Sequence, residues 1–253
     1  MNRSIAFIYG LICYCIFFLT FLYLIGFVSN MLVPKSIDIG QSTSTAAALL
    51  INLGLIALFG IQHSVMARPA FKERWTKIIP HSIERSTYVL IASAVLILLF
   101  WQWRPMPASL WNVQSETAQV LLWGIFLVGF SLVLVSTFVI SHFDLFGLRQ
   151  VWLNLKKQSY KASEFRVTWF YKFVRHPLYA GFILAFWATP NMTVGHLLFA
   201  IGMTGYMLIG IRYEERDLVQ FLGEDYASYR DSVPMLVPRM SKGHATVKAT
   251  EVT

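Results

Sequence analysis

The stretch FVRHPLYAGFILAFWATP, residues 173–190, determines where the chain passes from polar to apolar surroundings. Pro177 stands directly before an apolar run, and proline is favoured in the first turn of a helix because the N–H group that it lacks would have no partner there. Pro190 cannot continue this helix and disfavours helix in the residue before it. The apolar block 178–211, interrupted at 189–191, therefore predicts a helical hairpin with a short first arm.

The whole chain is too apolar for a soluble domain of its length, since 56% of its residues are hydrophobic and 13% are charged. A helix that crosses a bilayer needs about 20 apolar residues. Runs of this kind occur at 5–28, 45–66, 86–103 and 118–140. The first run is longer than the core of a signal peptide and lacks a cleavage site after it, so we expect a transmembrane helix there. The sequence predicts an all-α integral membrane protein: a multi-pass bundle of four long transmembrane helices plus the hairpin.

Basic residues are concentrated in two segments, 67–85 and 141–176. The segments 29–44 and 104–117 contain one basic residue each, Lys35 and Arg104. The positive-inside rule places basic segments in the cytoplasm. Both termini then lie on the cytoplasmic side as well. The net charge of +8 follows from this topology, and no nucleic-acid partner is expected. The sequence does not indicate an oligomeric state.

The carboxy-terminal part, from about Arg212, is polar but patterned. We expect a charged helix, a stop near Gly223, a second short helix with Tyr226 and Tyr229 on one face, and an end at the following prolines. This small cytosolic helical cap is too short to fold alone and must pack on the membrane helices. Residues 1–238 then form a single domain, and residues 239–253 are expected to be a disordered tail.

A hairpin brings its two ends together, so charged residues at both ends of the block are expected to meet. The start of the first arm attracts anions through its unpaired N–H groups and the helix dipole. The cluster is either a structural set of ion pairs or a ligand cage for a small zwitterionic or anionic molecule. The residues concerned are Arg175, His176, Tyr179 and Gly181 at the first end, and Arg212, Glu214 and Glu215 at the second.

Three motifs at these positions resemble the isoprenylcysteine carboxyl methyltransferase family of integral-membrane enzymes, which use S-adenosylmethionine. They are RHPLYAG at 175–181, EERDL at 214–218 and FLGEDYASYRDSVP at 221–234. The resemblance implies a cofactor pocket within about 141–238, between the hairpin and the cap. His176 and Tyr179 would line one side of this pocket, and Glu214 and Glu215 the other. In this arrangement Arg175 would hold the carboxylate of the cofactor, and Gly181 would let a ligand approach the backbone.

Further segments are similar to the bacterial methanethiol S-methyltransferases, membrane enzymes that convert methanethiol to dimethyl sulfide. They are GIQHSVMARPAFKERWT at 60–76, ERSTYVL at 84–90 and SHFDLFGLRQ at 141–150. The resemblance implies a small volatile thiol as acceptor and a bacterial inner membrane with a cytoplasmic active site. Part of it is shared with a denitrification-associated membrane protein family. Methylation of a larger lipophilic thiol or carboxylate, or a non-enzymatic role of the denitrification-associated kind, stays as the alternative.

Thiol methylation requires a group that takes the thiol proton, because the thiolate is the nucleophile. His142 and Asp144 are the first candidates, since an imidazole oriented by a carboxylate accepts a proton near neutral pH. The alternative is that both residues cap the helix end. His63, a titratable group inside the membrane, is a further candidate, or it hydrogen-bonds a neighbouring helix. Phe182, Phe186 and Trp187 are candidates for the wall of the substrate chamber. The alternative is that they pack between helices. No metal site is expected, because the histidines lack ligand spacing.

Overall fold

The structure is a computed structural model, and it describes residues 2–161 and 167–238. Within them five helices are long and apolar enough to cross a membrane. These are α1 (Arg3–Ser29), α2 (Thr45–Ala67), α4 (His81–Gln102), α5 (Glu116–Ile140) and α9 (Val194–Leu222). Shorter helices are α3 (Pro69–Trp75), α6 (His142–Leu145), α7 (Leu148–Leu155), α8 (Pro177–Trp187) and α10 (Glu224–Ser232), with a 3₁₀ turn at Trp169–Lys172. The protein is therefore an all-α multi-pass membrane protein, as the sequence predicts.

The predicted hairpin is formed by α8 and α9. The helix α8 begins at Pro177 and is only 11 residues long, so the expectation of a short first arm is confirmed. The second arm differs from the prediction, because α9 continues without a break through the charged residues to Leu222. The charged segment from Arg212 is thus the last part of a membrane helix and not a separate one. Gly223, with φ of 63°, ends it where the sequence indicated.

The helices form a closed ring. α1 packs on α4, α4 on α2, α2 on α9, α9 on α8 and α8 on α5. Phe21 of α1 meets Phe130 of α5 at a ring distance of 5.9 Å and closes the circle. Helices α1 and α4 begin, and α2, α5 and α9 end, at the end of the bundle that carries α3, α6 and α7; we call this the basic end. The amino-terminal end of α1 and the helix α10 both lie at the basic end. This agrees with the predicted even number of membrane crossings.

The opposite end of the bundle is closed by a two-stranded antiparallel ribbon, which the sequence did not predict. Strand β1 (Ser109–Asn112) pairs with β2 (Asn191–Thr193), directly after the hairpin turn. Below the ribbon lies a dense aromatic core, in which the rings of Phe27 and Phe100 are 4.9 Å apart and the indole of Trp103 donates to the carbonyl of Ile37 at 3.0 Å. This half of the bundle is filled by side chains, so a ligand site is expected at the basic end.

The carboxy-terminal cap packs on the basic end as predicted. Tyr226 and Tyr229 of α10 are both buried, and the hydroxyl of Tyr229 donates to the carbonyl of Tyr171 at 2.7 Å. The cap thereby holds the segment that leads into α8. The predicted tail, 239–253, lies outside the described residues.

Candidate active site

The two ends of the hairpin meet around Glu215, as expected. Its Oε1 accepts hydrogen bonds from Nε of Arg175 at 2.7 Å and from Nε2 of His176 at 2.9 Å. All three side chains are largely shielded, with exposed fractions of 13%, 11% and 5% for Glu215, Arg175 and His176. A carboxylate shared by two donors in such surroundings forms a rigid junction between α8 and α9.

Arg175 also ties the cap to the hairpin. Its Nη1 donates to the carbonyls of Arg230 and Val233, the first at 2.6 Å. The backbone N–H of Arg175 donates to the carbonyl of Pro234 at 2.9 Å. Nε and Nη1 of Arg175 are thus engaged within the protein and hold the cap in place, and its role toward the carboxylate of a cofactor stays a prediction.

Glu214 turns toward the interior of the ring. Its Oε2 accepts a hydrogen bond from the hydroxyl of Tyr179 at 3.0 Å, which links α9 to α8 a second time. Tyr88 of α4 and Tyr206 of α9 lie at the same end of the bundle, where both rings flank His63. We call Tyr88, Tyr179 and Tyr206 the inner tyrosines. Each of the three lies on a different helix, α4, α8 and α9.

His63 of α2 belongs to this group. Its ring lies 5.1 Å from that of Tyr88 and 6.2 Å from that of Tyr206, and Phe59 stacks on it at 5.3 Å. The sequence prediction included Tyr179 and His63 but missed Tyr88 and Tyr206. A tyrosine within an apolar helix, eight residues before Glu214, was the available signal for Tyr206, because that spacing keeps two residues near one face.

Two further residues predicted for the cofactor site lie elsewhere. A Cβ atom on Gly181 would meet the carbonyl oxygen of Gly129 at 2.6 Å and the backbone nitrogen of Val133 at 3.0 Å, so Gly181 allows α8 to approach α5 and leaves no room for a ligand. Arg212 is on an exposed side of α9. The structure thus gives Gly181 a packing role against α5, and the assignment of Arg212 to a cofactor site stays a prediction.

His142 lies at the end of α5 in a box of aromatic rings, stacked on Phe138 at 4.2 Å. Its Nδ1 is 2.8 Å from the hydroxyl of Thr137, and its Nε2 is 2.9 Å from that of Tyr14. Both ring nitrogens are thus used, and Asp144 does not orient them. Burial lowers the pKa of His142 below its ordinary value, so the neutral imidazole is the stable form.

Asp144 instead binds two residues of α7. Its Oδ2 accepts from Nη1 of Arg149 at 2.9 Å and its Oδ1 from the amide of Gln150 at 2.7 Å. The predicted pair of His142 and Asp144 is therefore two separate features, one in an aromatic box and one at the surface of a cavity.

The residues predicted to line a substrate chamber in α8 are mainly packing residues. Phe186 is buried in the aromatic core, 5.0 Å from the ring of Phe199. Phe182 packs on Phe186 at 5.5 Å. Trp187 is exposed, and its indole donates to the hydroxyl of Thr204 at 3.0 Å. Phe186 and Trp187 follow Tyr179 by about two helical turns, so they lie roughly 10–12 Å from its level along the helix.

A cavity of about 670 Å³ opens at the basic end, between the start of α4, α6 and α7. Arg85 lines it and places its guanidinium 5.2 Å from the ring centre of Tyr88. Burial, and then the charge of Arg85, lower the pKa of Lys72 in the same wall. Other polar groups in the wall include His81, Glu84, Asp144, Gln150 and Tyr160. Its volume lies within the range typical of small-molecule sites.

The fold and these contacts define a multi-pass helical membrane protein that gathers carboxylate, imidazole and tyrosine side chains at one end of its bundle. A family model described as NnrU protein matches residues 50–240. The chain belongs to this family of membrane methyltransferases, which is like the isoprenylcysteine carboxyl methyltransferases. The resemblance inferred from the motifs is thereby confirmed.

Several relatives match almost the whole chain. Methanethiol S-methyltransferase of Mycobacterium tuberculosis is 50% identical over 238 residues, which cover 94% of this chain and 98% of the relative. The protein of the same name from Crocosphaera subtropica is 49% identical, covering 96% of this chain and 95% of the relative. Methanethiol S-methyltransferase 1 of Bradyrhizobium diazoefficiens is 53% identical, covering 93% and 83%. No solved structure matches the chain.

Proposed function

We propose that the protein transfers a methyl group from S-adenosylmethionine to a small volatile thiol, with methanethiol as acceptor and dimethyl sulfide as product. The observation that carries this proposal is the identity of 49–53% to relatives named methanethiol S-methyltransferase, over more than nine tenths of the chain. When bound, S-adenosylmethionine supplies a methyl group on a positively charged sulfur.

The residues at the basic end fit such a cationic donor. Tyrosine rings attract a cation to their faces, and a nearby carboxylate adds to the attraction. Glu214 and Tyr179 provide a carboxylate and a ring in contact with each other, and Tyr88 and Tyr206 add rings from α4 and α9 beside His63. His176 and Glu215, fixed to each other at 2.9 Å, border this group from the cap side. We assign Glu214 and Tyr179 to donor binding, and His176 and Glu215 to the wall that keeps them in place.

Arg85 lines the cavity and lies 5.2 Å from the ring centre of Tyr88, and we propose that the cavity receives part of the donor. A donor with a nucleoside and an amino-acid part needs a polar chamber of several hundred cubic ångströms, and the cavity of about 670 Å³ has that size. Lys72 offers a donor there, and Oε1 of Gln150 offers an acceptor that has no partner among the described residues. We propose that Asp144 fixes α7 in this wall through Arg149 and Gln150, and that His142 positions α1 against α5 through its two hydroxyl partners.

The basic end faces the cytoplasm of a bacterial cell, and the ribbon end faces the outside of the inner membrane. This proposal rests on the clustering of cations in 67–85 and 141–176. It places the site where S-adenosylmethionine is made, and the volatile, uncharged product can leave through the bilayer.

Purified protein in detergent tests the assignment of the site. Glu214→Gln and Tyr179→Phe should each weaken S-adenosylmethionine binding in calorimetry by about 10-fold, the loss expected for one hydrogen bond to a charged group. Tyr23→Phe is the matched control, because its hydroxyl donates to the carbonyl of Lys35 at the ribbon end. Unchanged affinity in both site variants would remove the donor from this place.

A panel of acceptors tests the substrate. Methanethiol should be methylated, whereas a farnesylated cysteine derivative should not. Methylation of the prenylated compound alone would assign the protein to lipophilic acceptors, and absence of both binding and turnover would favour a non-enzymatic role.

A further inference from the structure

His63 has a buried ring nitrogen that the fold leaves unused. Within residues 2–161 and 167–238, no group hydrogen-bonds its Nδ1, and this atom is shielded from solvent. A buried polar atom without a partner carries a cost of about 1–3 kcal/mol. Such an atom in a native protein calls for an explanation, and binding of a transient ligand is one that suits a titratable group.

The surroundings of His63 select for a small, apolar hydrogen-bond donor. Phe59, Tyr88 and Tyr206 enclose the ring at centroid distances of 5.3, 5.1 and 6.2 Å. A further constraint comes from α2 itself, because a Cβ atom on Gly60 would meet the ring of Tyr206 at 2.9 Å. The imidazole is therefore bordered by rings from its own helix and from two neighbouring helices, and such close surroundings suit an acceptor of a few atoms better than a long lipid chain.

His196 provides an internal comparison. It is also a buried imidazole whose Nδ1 finds no partner in the described part of the chain. Its Nε2, however, bonds the carbonyl of Phe186 at 2.9 Å, which fixes the ring as a donor inside the aromatic core. It precedes Glu214 by 18 residues of one helix, about 27 Å. His196 therefore connects two helices at the ribbon end, far from the inner tyrosines, while His63 lies among them.

We infer that His63 is the group that binds the acceptor thiol and takes its proton. This inference rests on the proposed function. Glu214, which is bonded to Tyr179, and the other inner tyrosines attract the donor, and the rings of Tyr88 and Tyr206 lie 5.1 and 6.2 Å from that of His63. The thiol then lies between the imidazole and the donor.

The step balances without any other reagent. The S–H proton goes to the imidazole nitrogen, and the thiol sulfur uses the electron pair to form a new bond to the methyl carbon. The bond between that carbon and the donor sulfur breaks, and its electron pair stays on the donor sulfur, which becomes neutral. The proton on His63 is released to solvent. A methanethiol sulfur is less acidic than a cysteine thiol, whose pKa is about 8.5, so without a base little thiolate exists at neutral pH.

The first test compares His63→Gln with His196→Gln in the full-length protein. General-base assistance contributes about 10²–10⁴-fold, so His63→Gln should lower turnover of methanethiol by 100-fold or more, while S-adenosylmethionine affinity in calorimetry stays within about twofold. His196→Gln should retain turnover within a few-fold. The loss in His63→Gln should shrink to less than about 5-fold with trifluoroethanethiol, a small thiol that is far more acidic than methanethiol and therefore depends much less on a base. An equal loss with both thiols would make His63 a structural residue, and an unchanged turnover of methanethiol would overturn the inference.

A second test uses the unaltered protein and does not depend on turnover. Raman spectra of methanethiol bound together with S-adenosylhomocysteine should show an S–H band that is lowered or lost, because the S–H group donates to imidazole. An unshifted band would refute the contact. Failure of the wild-type protein to make dimethyl sulfide, by contrast, would refute the proposed function itself.

Discussion

The junction at Glu215 gives a quantitative prediction. Glu215→Gln removes the charge that Arg175 and His176 share, while the side chain keeps its shape. Arg175 is then left as a cation with an exposed fraction of only 11%. Breaking a buried ion pair by removing one partner costs about 3–5 kcal/mol. Because the amide oxygen of glutamine still accepts one hydrogen bond and the carbonyls of Arg230 and Val233 still bind Arg175, we expect a cost near the lower limit, about 3 kcal/mol.

Thermal unfolding in detergent measures this loss. For a chain of this size, about 1 kcal/mol shifts the midpoint by 2–4 °C, so Glu215→Gln should unfold about 6–12 °C below the wild type. The control is Asp217→Asn, a substitution on the same helix as Glu215. It breaks the 2.8 Å ion pair between Asp217 and Arg68. These side chains are 35% and 29% exposed, and surface pairs contribute less than about 1 kcal/mol. Equal midpoints for the two variants would show that Glu215 does not hold the cap to the hairpin.

Three further predictions concern packing, pH and topology. Gly181→Ala places a Cβ 2.6 Å from a backbone oxygen of α5 and should cost about 1–3 kcal/mol, whereas Gly124→Ala, which meets nothing within 4 Å, should leave the midpoint nearly unchanged; a neutral Gly181→Ala would contradict the close helix crossing. Burial lowers the pKa of His142, so its contribution to stability is complete above the ordinary histidine pKa of about 6.5 and is lost as the pH falls below it. The midpoint of the wild type should therefore drop more between pH 7.5 and 5.5 than that of His142→Gln, and parallel curves would exclude this residue as the cause. A reporter fused to the carboxy terminus should signal cytoplasm and one inserted at 113–115 should signal the opposite side; the same signal from both would refute the topology.

The fold was largely predictable because each membrane helix is encoded by its own apolar run. Pro177 and Gly223 mark helix ends through local backbone chemistry, and the structure has both ends where the residues indicate them. The sequence did not predict the features that depend on contacts between distant segments of the chain. The charged residues from Arg212 continue α9, where Glu215 pairs with Arg175 before α8 and Glu214 with Tyr179 on α8. The pairing of β1 with β2 joins segments about 80 residues apart.

The site was predictable where two ends of one hairpin meet, as for His176 with Glu215 and Tyr179 with Glu214. Contributions from other helices were not. The approach of Tyr88 to His63 depends on how α4 packs against α2. His142 and Asp144 are close along the chain, so the sequence predicted that they interact. In the structure the imidazole of His142 instead contacts the hydroxyls of Thr137 and Tyr14. The role of Gly181 was equally unpredictable. A glycine allows the close approach of either a ligand or another helix, and the local sequence does not distinguish the two.

The most direct test of the central claim is the transfer of a labelled methyl group. Purified wild-type protein in detergent is incubated with methanethiol and S-adenosylmethionine that carries a trideuterated methyl group, and the headspace is analysed by gas chromatography with mass spectrometry. The account predicts dimethyl sulfide with three deuterium atoms, formed only when both substrates are present and strongly reduced in Glu214→Gln. Absence of labelled dimethyl sulfide, from protein that still binds S-adenosylmethionine, would contradict methanethiol as the acceptor.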